Sequence, residues 1–498
     1  MKLADIVKTF TPLAVEGPLD QEITGIAYDS RRVMPGHMFV AMRGENTDGH
    51  RFVEAAIDRG AAAVVLERDM GFSPRATRIK VSDARRSMAH ASAQFYHHPS
   101  QKLKVVGITG TNGKTTTAFM VRAILEAAGI SCGLLGTVQY QIGARVIPAS
   151  RTTPESVDIQ DMMSQMLRVG CGGVSMEVSS HAIDQLRVEG VDFDVAVFTN
   201  LSRDHLDYHG TMEDYFESKV RLFSALGSVR KAGRAVVNAD NAYGCELIER
   251  LGGDRAVITY GVSSAAVVRA EDVRVSTEGS YFVVHTPQGR IPMSLPLIGR
   301  YNVSNALAAI GASQVLGIEL PIVESALSHL HPVPGRVESV QVPEDYKVFI
   351  DYAHTADALR NVLVTVMELT RGRVIVVFGC GGDRDKGKRK SMGETACELA
   401  DFSILTTDNP RTEDPREILK QIEDGFTTAN GRRHQVIEDR REAIERALDI
   451  ARPGDAVVIA GKGHETYQEF ADTVVPFSDR QVIENYFELN GARWKPCV

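Results

Sequence analysis

With 498 residues, 43% hydrophobic and 24% charged, the chain has ordinary globular composition and is too long for one core, so two to four domains of roughly 100–200 residues each are expected. A net charge of -8 argues against a nucleic-acid protein, which needs a basic face to neutralise phosphates, and six cysteines without a C-x-x-C pair argue against a zinc ribbon or a disulfide framework. No apolar run approaches the roughly 18 residues of a membrane span, and the start Met-Lys-Leu-Ala-Asp-Ile-Val-Lys carries charge too early for a signal peptide, so a soluble, cytoplasmic protein is expected.

From Met1 to about Ser100, short strand-like pieces (Gly25-Ile-Ala-Tyr, His37-Met-Phe-Val-Ala-Met) alternate with a helical stretch near Phe52 to Arg59 and a buried-looking Ala61-Ala-Ala-Val-Val-Leu, which predicts a small α/β unit. Asp29-Ser-Arg-Arg and Gly44-Glu-Asn-Thr-Asp-Gly-His place polar donors and arginines in two loops. Taken alone, such loops read as solvated turns more readily than as sites.

The stretch Val105-Val-Gly-Ile-Thr-Gly-Thr-Asn-Gly-Lys-Thr-Thr-Thr reads as a buried strand, a glycine-rich turn and a helix starting at Lys114. The glycines let the backbone turn its N–H groups inward, and the positive helix start points at the same spot, which is how phosphate is held. Lys114 adds a point charge for the terminal phosphates, and the Thr115 hydroxyl a ligand for magnesium. The strict G-x-x-x-x-G-K-[ST] pattern would put its first glycine at Ile108, so this is a variant loop. The candidate strands up to about Leu330 are each followed by a helical stretch, which predicts a mostly parallel sheet. Two of them end in Val174-Ser-Met-Glu-Val-Ser-Ser-His and Val195-Ala-Val-Phe-Thr-Asn-Leu-Ser-Arg-Asp-His, so Glu177 and His205 belong on the same rim as the phosphate loop. Asp214-Tyr-Phe-Glu-Ser-Lys opens a helix, and Ile298-Gly-Arg-Tyr-Asn-Val-Ser-Asn leads into an alanine-rich one.

His331-Pro-Val-Pro-Gly-Arg reads as a linker carrying a functional arginine and marks a domain boundary. Beyond it, Tyr346 to His354, Arg373 to Gly379, Phe402 to Thr407, His434 to Ile437 and Asp455 to Ala460 are five strand candidates separated by helix-length segments, a Rossmann-like sheet. No G-x-G-x-x-G follows its first strand, so a nicotinamide cofactor is not indicated.

Gly107-Ile-Thr-Gly-Thr-Asn-Gly-Lys-Thr-Thr, Met176-Glu-Val-Ser-Ser-His, Thr199-Asn-Leu-Ser-Arg-Asp-His-Leu-Asp-Tyr-His-Gly, Gly299-Arg-Tyr-Asn-Val-Ser-Asn, Pro334-Gly-Arg and Asp351-Tyr-Ala-His occur together in this order. Across essentially the whole chain the set resembles the Mur ligase family of ATP-dependent amide-forming enzymes. Gly379-Cys-Gly-Gly-Asp-Arg-Asp-Lys-Gly-Lys-Arg, Asp408-Asn-Pro-Arg and Gly461-Lys-Gly-His-Glu narrow the resemblance to members that act on diaminopimelate.

The resemblance implies an α/β protein of three domains: a UDP-binding domain at 1–101, a central ATP-binding domain of P-loop type at 102–332 and a Rossmann-like amino-acid-binding domain at 333–498. It implies addition of meso-diaminopimelate to UDP-N-acetylmuramoyl-L-alanyl-D-glutamate, in peptidoglycan precursor synthesis, through an acyl phosphate. The phosphates of ATP fall to Gly110, Thr111, Asn112, Gly113, Lys114, Thr115 and Thr116, and its adenine and ribose to Asn302, Arg336, Asp351 and His354. Mg2+, two ions, falls to Thr115, Glu177, His205 and a CO2-derived carbamate on Lys219, with Lys114, His205 and Lys219 catalytic. Read without the family, Glu177 is also an ordinary strand-end carboxylate, His205 a satisfied core histidine and Lys219 a surface lysine. The nucleotide-peptide falls to Ser30, Glu45, Asn46, Thr47, Thr152, Thr153, Ser180, Gln185 and Arg187. Diaminopimelate falls to Arg384, Asp408, Asn409, Pro410, Arg411, Gly461 and Glu465, with Arg411 as a fork for the distal carboxylate. The expected partners are small molecules only, with no nucleic acid and no membrane, and a monomer is expected. The rivals are a lysine-adding relative, a folylpolyglutamate synthetase and, from another class, an NTP-driven switch; Asp408-Asn-Pro-Arg argues against the first two.

Overall fold

Runs such as Val195–Phe198, Val374–Phe378 and Ala456–Ala460 are apolar at every position, the mark of strands covered on both faces, and all three are buried throughout. In the computed structural model, which describes residues 1–489 apart from 45–46, 72–74, 228–230, 253–256, 264 and 427–432, these runs form the middles of two large sheets.

The first sheet has five strands, Ala14–Glu16, Gly25–Ala27, His37–Val40, Ala63–Leu66 and Thr77–Lys80. The last four pair in parallel, and Ala14–Glu16 closes the edge antiparallel to Thr77–Lys80. The helices Leu3–Val7 and Ala84–Phe95 pack one face, and Val53–Asp58 the other.

The second sheet has eleven strands. Its centre is parallel: Lys104–Thr109, the strand that feeds the phosphate loop, lies between Gly173–Glu177 and Val195–Phe198. Helices Lys114–Ala127 and Arg300–Val315 cover one face, Ser156–Arg168 and Met212–Ser224 the other. Both flanks are antiparallel, with Gln139–Ile142 and Arg145–Pro148 at one end and Val268–Ser276, Gly279–Thr286 and Gly289–Leu295 at the other. The expectation of strands each followed by a helix fails there because tight turns replace the helices. Gly143, at φ 57°, joins the first pair, and Gly279 and Gly289 (φ 148° and 139°) stand at the turns of the second set.

The third sheet has six strands, all parallel except the edge strand Glu338–Val340. The five strands expected from sequence are all present; the edge strand and a separate hairpin, Tyr467–Phe470 with Thr473–Pro476, are additional. Helix starts follow local chemistry: Thr211, Thr355 and Asp439 each accept a hydrogen bond from the backbone N–H three residues on.

One fully buried ion pair ties the end of the chain to the third sheet. Arg440 Nε and Nη2 donate to the two oxygens of Asp479, each at 2.8 Å, and Nη2 also reaches the Ala460 carbonyl at 3.0 Å. Removing one partner leaves an uncompensated charge in the core. Asp479→Ala is therefore expected to cost about 3–5 kcal/mol in denaturant unfolding, and a loss below about 1 kcal/mol would show that the pair is not needed.

Candidate functional site

The turn after Lys104–Thr109 approaches its neighbours more closely than any side chain allows. Gly110 has φ 145° and Gly113 φ 86°, and a Cβ on either would fall inside the Thr199 hydroxyl or the Asn305 side chain. Asn200 accepts from the Thr111 N–H through its carbonyl and from the Asn112 N–H through Oδ1, both at 2.9 Å. Thr199 Oγ1 donates to the Asn112 carbonyl at 2.6 Å. The Thr111 and Asn112 amides thus shape the turn, and Lys114, Thr115 and Thr116, the first helical residues, carry the N–H groups that a helix leaves without partners.

Lys114 Nζ donates to the Gly110 and Thr111 carbonyls at 3.0 and 2.8 Å, so it is folded back on the loop rather than free at a rim. Desolvation lowers its pKa, against the raising effect of Glu177. Lys219, on Met212–Ser224, is only 1% exposed. Its Nζ donates to the Gly110 carbonyl at 3.2 Å and lies 4.5 Å from the centre of the Tyr215 ring. Burial, and then the Lys114 charge, drive its pKa well below the ordinary lysine value, unlike a lysine at the surface.

His205 sits in the left-handed region at φ 55°, with its ring against His181 and Tyr215. Burial pulls its pKa down to about 3, so the imidazole is neutral. Its neighbour Asp204 is buried, and burial alone would raise its pKa. Lys388 and the His354 ring, each 3.7 Å from its carboxylate, act against that, and its pKa stands well below the ordinary value.

Glu177, at the end of its strand, accepts from the Thr137 N–H at 2.8 Å and from Thr137 Oγ1 at 2.9 Å. Among the described residues no three His, Cys, Asp or Glu side chains converge as a metal cage. Thr115 and Glu177 nevertheless fit magnesium, which takes a hydroxyl or a single carboxylate together with phosphate oxygens. Thr115 Oγ1 now accepts from Arg336 Nη2 at 3.0 Å.

The linker at Arg336 is packed, not loose. Gly335 has φ 66° and abuts His464, and the Arg336 guanidinium lies 4.9 Å from the Tyr352 ring. Asp351 spends both oxygens on the Val337 and Ala353 amides, at 2.7 Å each, so its work here is to hold the linker. Asn302 is buried, donating to the Ile298 carbonyl and accepting from Asn305. His354 reaches Asp204 across the sheets.

A cleft of about 1310 Å³ opens beside Thr137, His205, Tyr352 and His464. Ser30 and Thr47 line one end; Thr152, Thr153, Gln185, Arg187 and His205 the middle; Arg384, Arg411 and Glu465 the other end. Glu45 and Asn46 lie outside the described residues. Ser180 is buried and turned away, bonded to His209. Asp408, Asn409, Pro410 and Gly461 are buried behind the wall. Asn409 Oδ1 accepts from Lys462 Nζ and from the Glu469 N–H, while Nδ2 donates to Glu465, which leaves the oxygen no lone pair for an incoming ammonium. Arg411, in the left-handed region at φ 52°, donates from Nε to Glu469 at 2.9 Å and from Nη1 to the Gly382 carbonyl at 2.7 Å. It was expected as an open fork, and only Nη2 remains open among the described residues.

Sequence reasoning did not single out Asp204, Thr137, Asn200, Lys388 or Glu469. Asp204 and Asn200 stand inside a quoted motif, and Lys388 inside another; nothing in the sequence marks Thr137 or Glu469.

Comparison with known proteins follows from this geometry. Residues 22–96 match the model of the Mur ligase family catalytic domain, 108–313 the Mur ligase middle domain and 335–463 the Mur ligase glutamate ligase domain. A protein of Caldanaerobacter subterraneus subsp. tengcongensis, named UDP-N-acetylmuramoyl-L-alanyl-D-glutamate--2,6-diaminopimelate ligase, is 47% identical over 97% of this chain and 98% of its own. A protein of Geobacter metallireducens with the same name is 46% identical over 98% of each. A solved structure of a ligase so named superposes with a TM-score of 0.69 at 33% identity over 99% of both chains. With all three models matched in order and such relatives aligned along nearly its full length, the chain belongs to the Mur ligase family.

Proposed function

We propose that this protein is the ATP-dependent ligase that adds meso-diaminopimelate to UDP-N-acetylmuramoyl-L-alanyl-D-glutamate in peptidoglycan precursor synthesis. The observation that carries the reading is the single cleft, which joins Ser30 and Thr47 at one end, His205 in the middle and Arg411 and Glu465 at the other. A nucleotide-linked peptide and an amino acid entering from opposite ends would meet beside His205. The relatives' names supply the substrate pair. The reading assigns 1–101 to the uridine diphosphate, 102–332 to ATP and 333–498 to the amino acid, in a cytoplasmic monomer.

In this reading the peptide carboxylate attacks the γ-phosphate of ATP, ADP leaves, and the amine of diaminopimelate displaces phosphate from the acyl phosphate. Little covalent work falls to the protein, whose task is position and charge. Lys114 leaves the loop carbonyls to follow the transferred phosphoryl group. Thr115, Glu177, His205 and Lys219 as a carbamate would hold Mg2+, which when bound supplies charge neutralisation between phosphate oxygens. The neutral His205 ring keeps a lone pair for that purpose. With its pKa lowered by burial, Lys219 would meet CO2 as the free amine: the nitrogen bonds the carbon, one C–O π pair moves onto oxygen, and the N–H proton passes to water.

Phosphate release is the direct test of the function: it is expected only when both amino acid and nucleotide-peptide are present, and release without either would favour a nucleotide-driven switch. Lys114→Ala is expected to abolish ligation, and unchanged turnover in the folded variant would remove the phosphate-loop assignment. For Lys219, native mass spectrometry is expected to show the added mass of CO2, and Lys219→Ala to be inactive but partly rescued by a small carboxylate. An unmodified, fully active protein would end that assignment. Arg411→Ala is expected to lose about 2–5 kcal/mol of preference for diaminopimelate over lysine, read from the ratio of kcat/KM values. Equal efficiency with both amino acids in the unaltered protein would overturn the specificity.

A further inference from the structure

Glu155, just ahead of the helix Ser156–Arg168, stands where three arginines meet. Arg151 Nη1 lies 2.6 Å from its carboxylate, Arg187 Nε 3.1 Å and Arg85 Nη1 3.7 Å. They arrive from different places: Arg85 from the helix Ala84–Phe95 beside the first sheet, Arg151 from the loop after Arg145–Pro148, Arg187 from the turn after Ser180–Asp184. All four residues border the cleft between its Ser30 end and its middle.

The cluster is unbalanced in charge and incomplete in hydrogen bonds. One carboxylate against three guanidiniums leaves two positive charges over. The Glu155 side chain is only 6% exposed, yet among the described residues its Oε2 and the facing Arg85 Nη1 have no hydrogen-bond partner, because their ion pair at 3.7 Å is too long for one. Arg187 is spent on protein groups, donating to the Thr153 carbonyl and Gln185 Oε1. Desolvation lowers its pKa, and the Arg151 and Arg85 charges act against the support of Glu155. Arg85 and Arg151 keep N–H donors in reserve, and the Arg151 side chain is 53% exposed. A buried polar network left half satisfied is costly unless a ligand completes it. Guanidinium forks complete best on a phosphate or carboxylate, and two surplus charges match a diphosphate linked at both ends.

We propose that Arg85 and Arg151, positioned together with Arg187 by Glu155, form a clamp for the doubly charged diphosphate of the nucleotide-linked substrate. The proposal rests on the substrate reading above and assigns it a subsite. Glu155 is a positioning residue: it gathers the arginines and joins the first sheet's helix to the central sheet.

Titration calorimetry on the full-length protein with UDP and with uridine tests the clamp. Arg85→Ala and Arg151→Ala are each expected to weaken UDP about 10-fold or more, the scale of a lost charge-assisted hydrogen bond, and to leave uridine unchanged. Glu155→Gln is expected to weaken UDP similarly, with partial recovery in Glu155→Asp, because a shorter carboxylate still gathers the arginines. A role confined to structure would lower thermal stability without changing the UDP-to-uridine ratio. Unchanged UDP affinity in the double alanine variant, or an equal loss for uridine, overturns the clamp. Should the double alanine variant fail to fold, Arg85→Lys with Arg151→Lys keeps the charge and loses the fork, and unchanged UDP affinity there overturns it equally. Wild-type protein that ligates while all variants hold UDP normally removes the clamp alone. Wild-type protein that neither ligates nor binds UDP removes the substrate reading with it.

Discussion

The close approach of the Gly110–Gly113 turn to Thr199 on one side and Asn305 on the other is the constraint on which the site depends. Because no side chain fits there, the strand ends at Thr109, Phe198 and Glu177 can stand in register on one rim, and the helix at Lys114 begins directly above them. Asn200 then serves two loop amides at once, which sets the turn before any ligand arrives. The Gly110 carbonyl, held by this geometry, accepts from both Lys114 and Lys219 and so brings two cationic side chains within reach of one oxygen. That crowding, with burial, is what drives Lys219 towards the neutral amine.

Much of this was legible in the sequence because the phosphate loop, the strand-end motifs and the five strands of the third sheet are local patterns: apolar runs followed by glycine, histidine or acid. The antiparallel flank at 268–295 was not. Val-Arg-Ala-Glu-Asp-Val-Arg-Val-Ser is a strand with one wet face, and its charges hide it from a search for buried runs. The site was legible as a set of residues and not as a set of bonds. Arg411 looked open because its partner Glu469 comes 58 residues later, on a hairpin that carries no motif. Asn409 reads from sequence as a substrate contact, yet Lys462 donates to its oxygen and its amide nitrogen donates to Glu465, both from the Gly461-Lys-Gly-His-Glu motif.

The second and third sheets meet in two ways: Ile298, Val275 and Tyr301 join the apolar cluster built on Leu359, Val362 and Leu363, and a set of polar contacts gathers near the glycine-rich turn. Lys388 and His354 reach Asp204, Arg336 reaches Thr115, Asp357 accepts from Asn112, and Arg203 pairs with Asp385. Each of these bonds engages a residue of the phosphate loop or of the Arg203-Asp-His segment. The arrangement therefore links the third sheet's unit to the turn: a ligand that took the Arg336 or Thr115 side chain would compete with the bond that joins them. Arg384, Arg411 and Glu465 at one end of the cleft belong to the third sheet's unit, so Asp204 and Arg336 tie that end of the cleft to the glycine-rich turn.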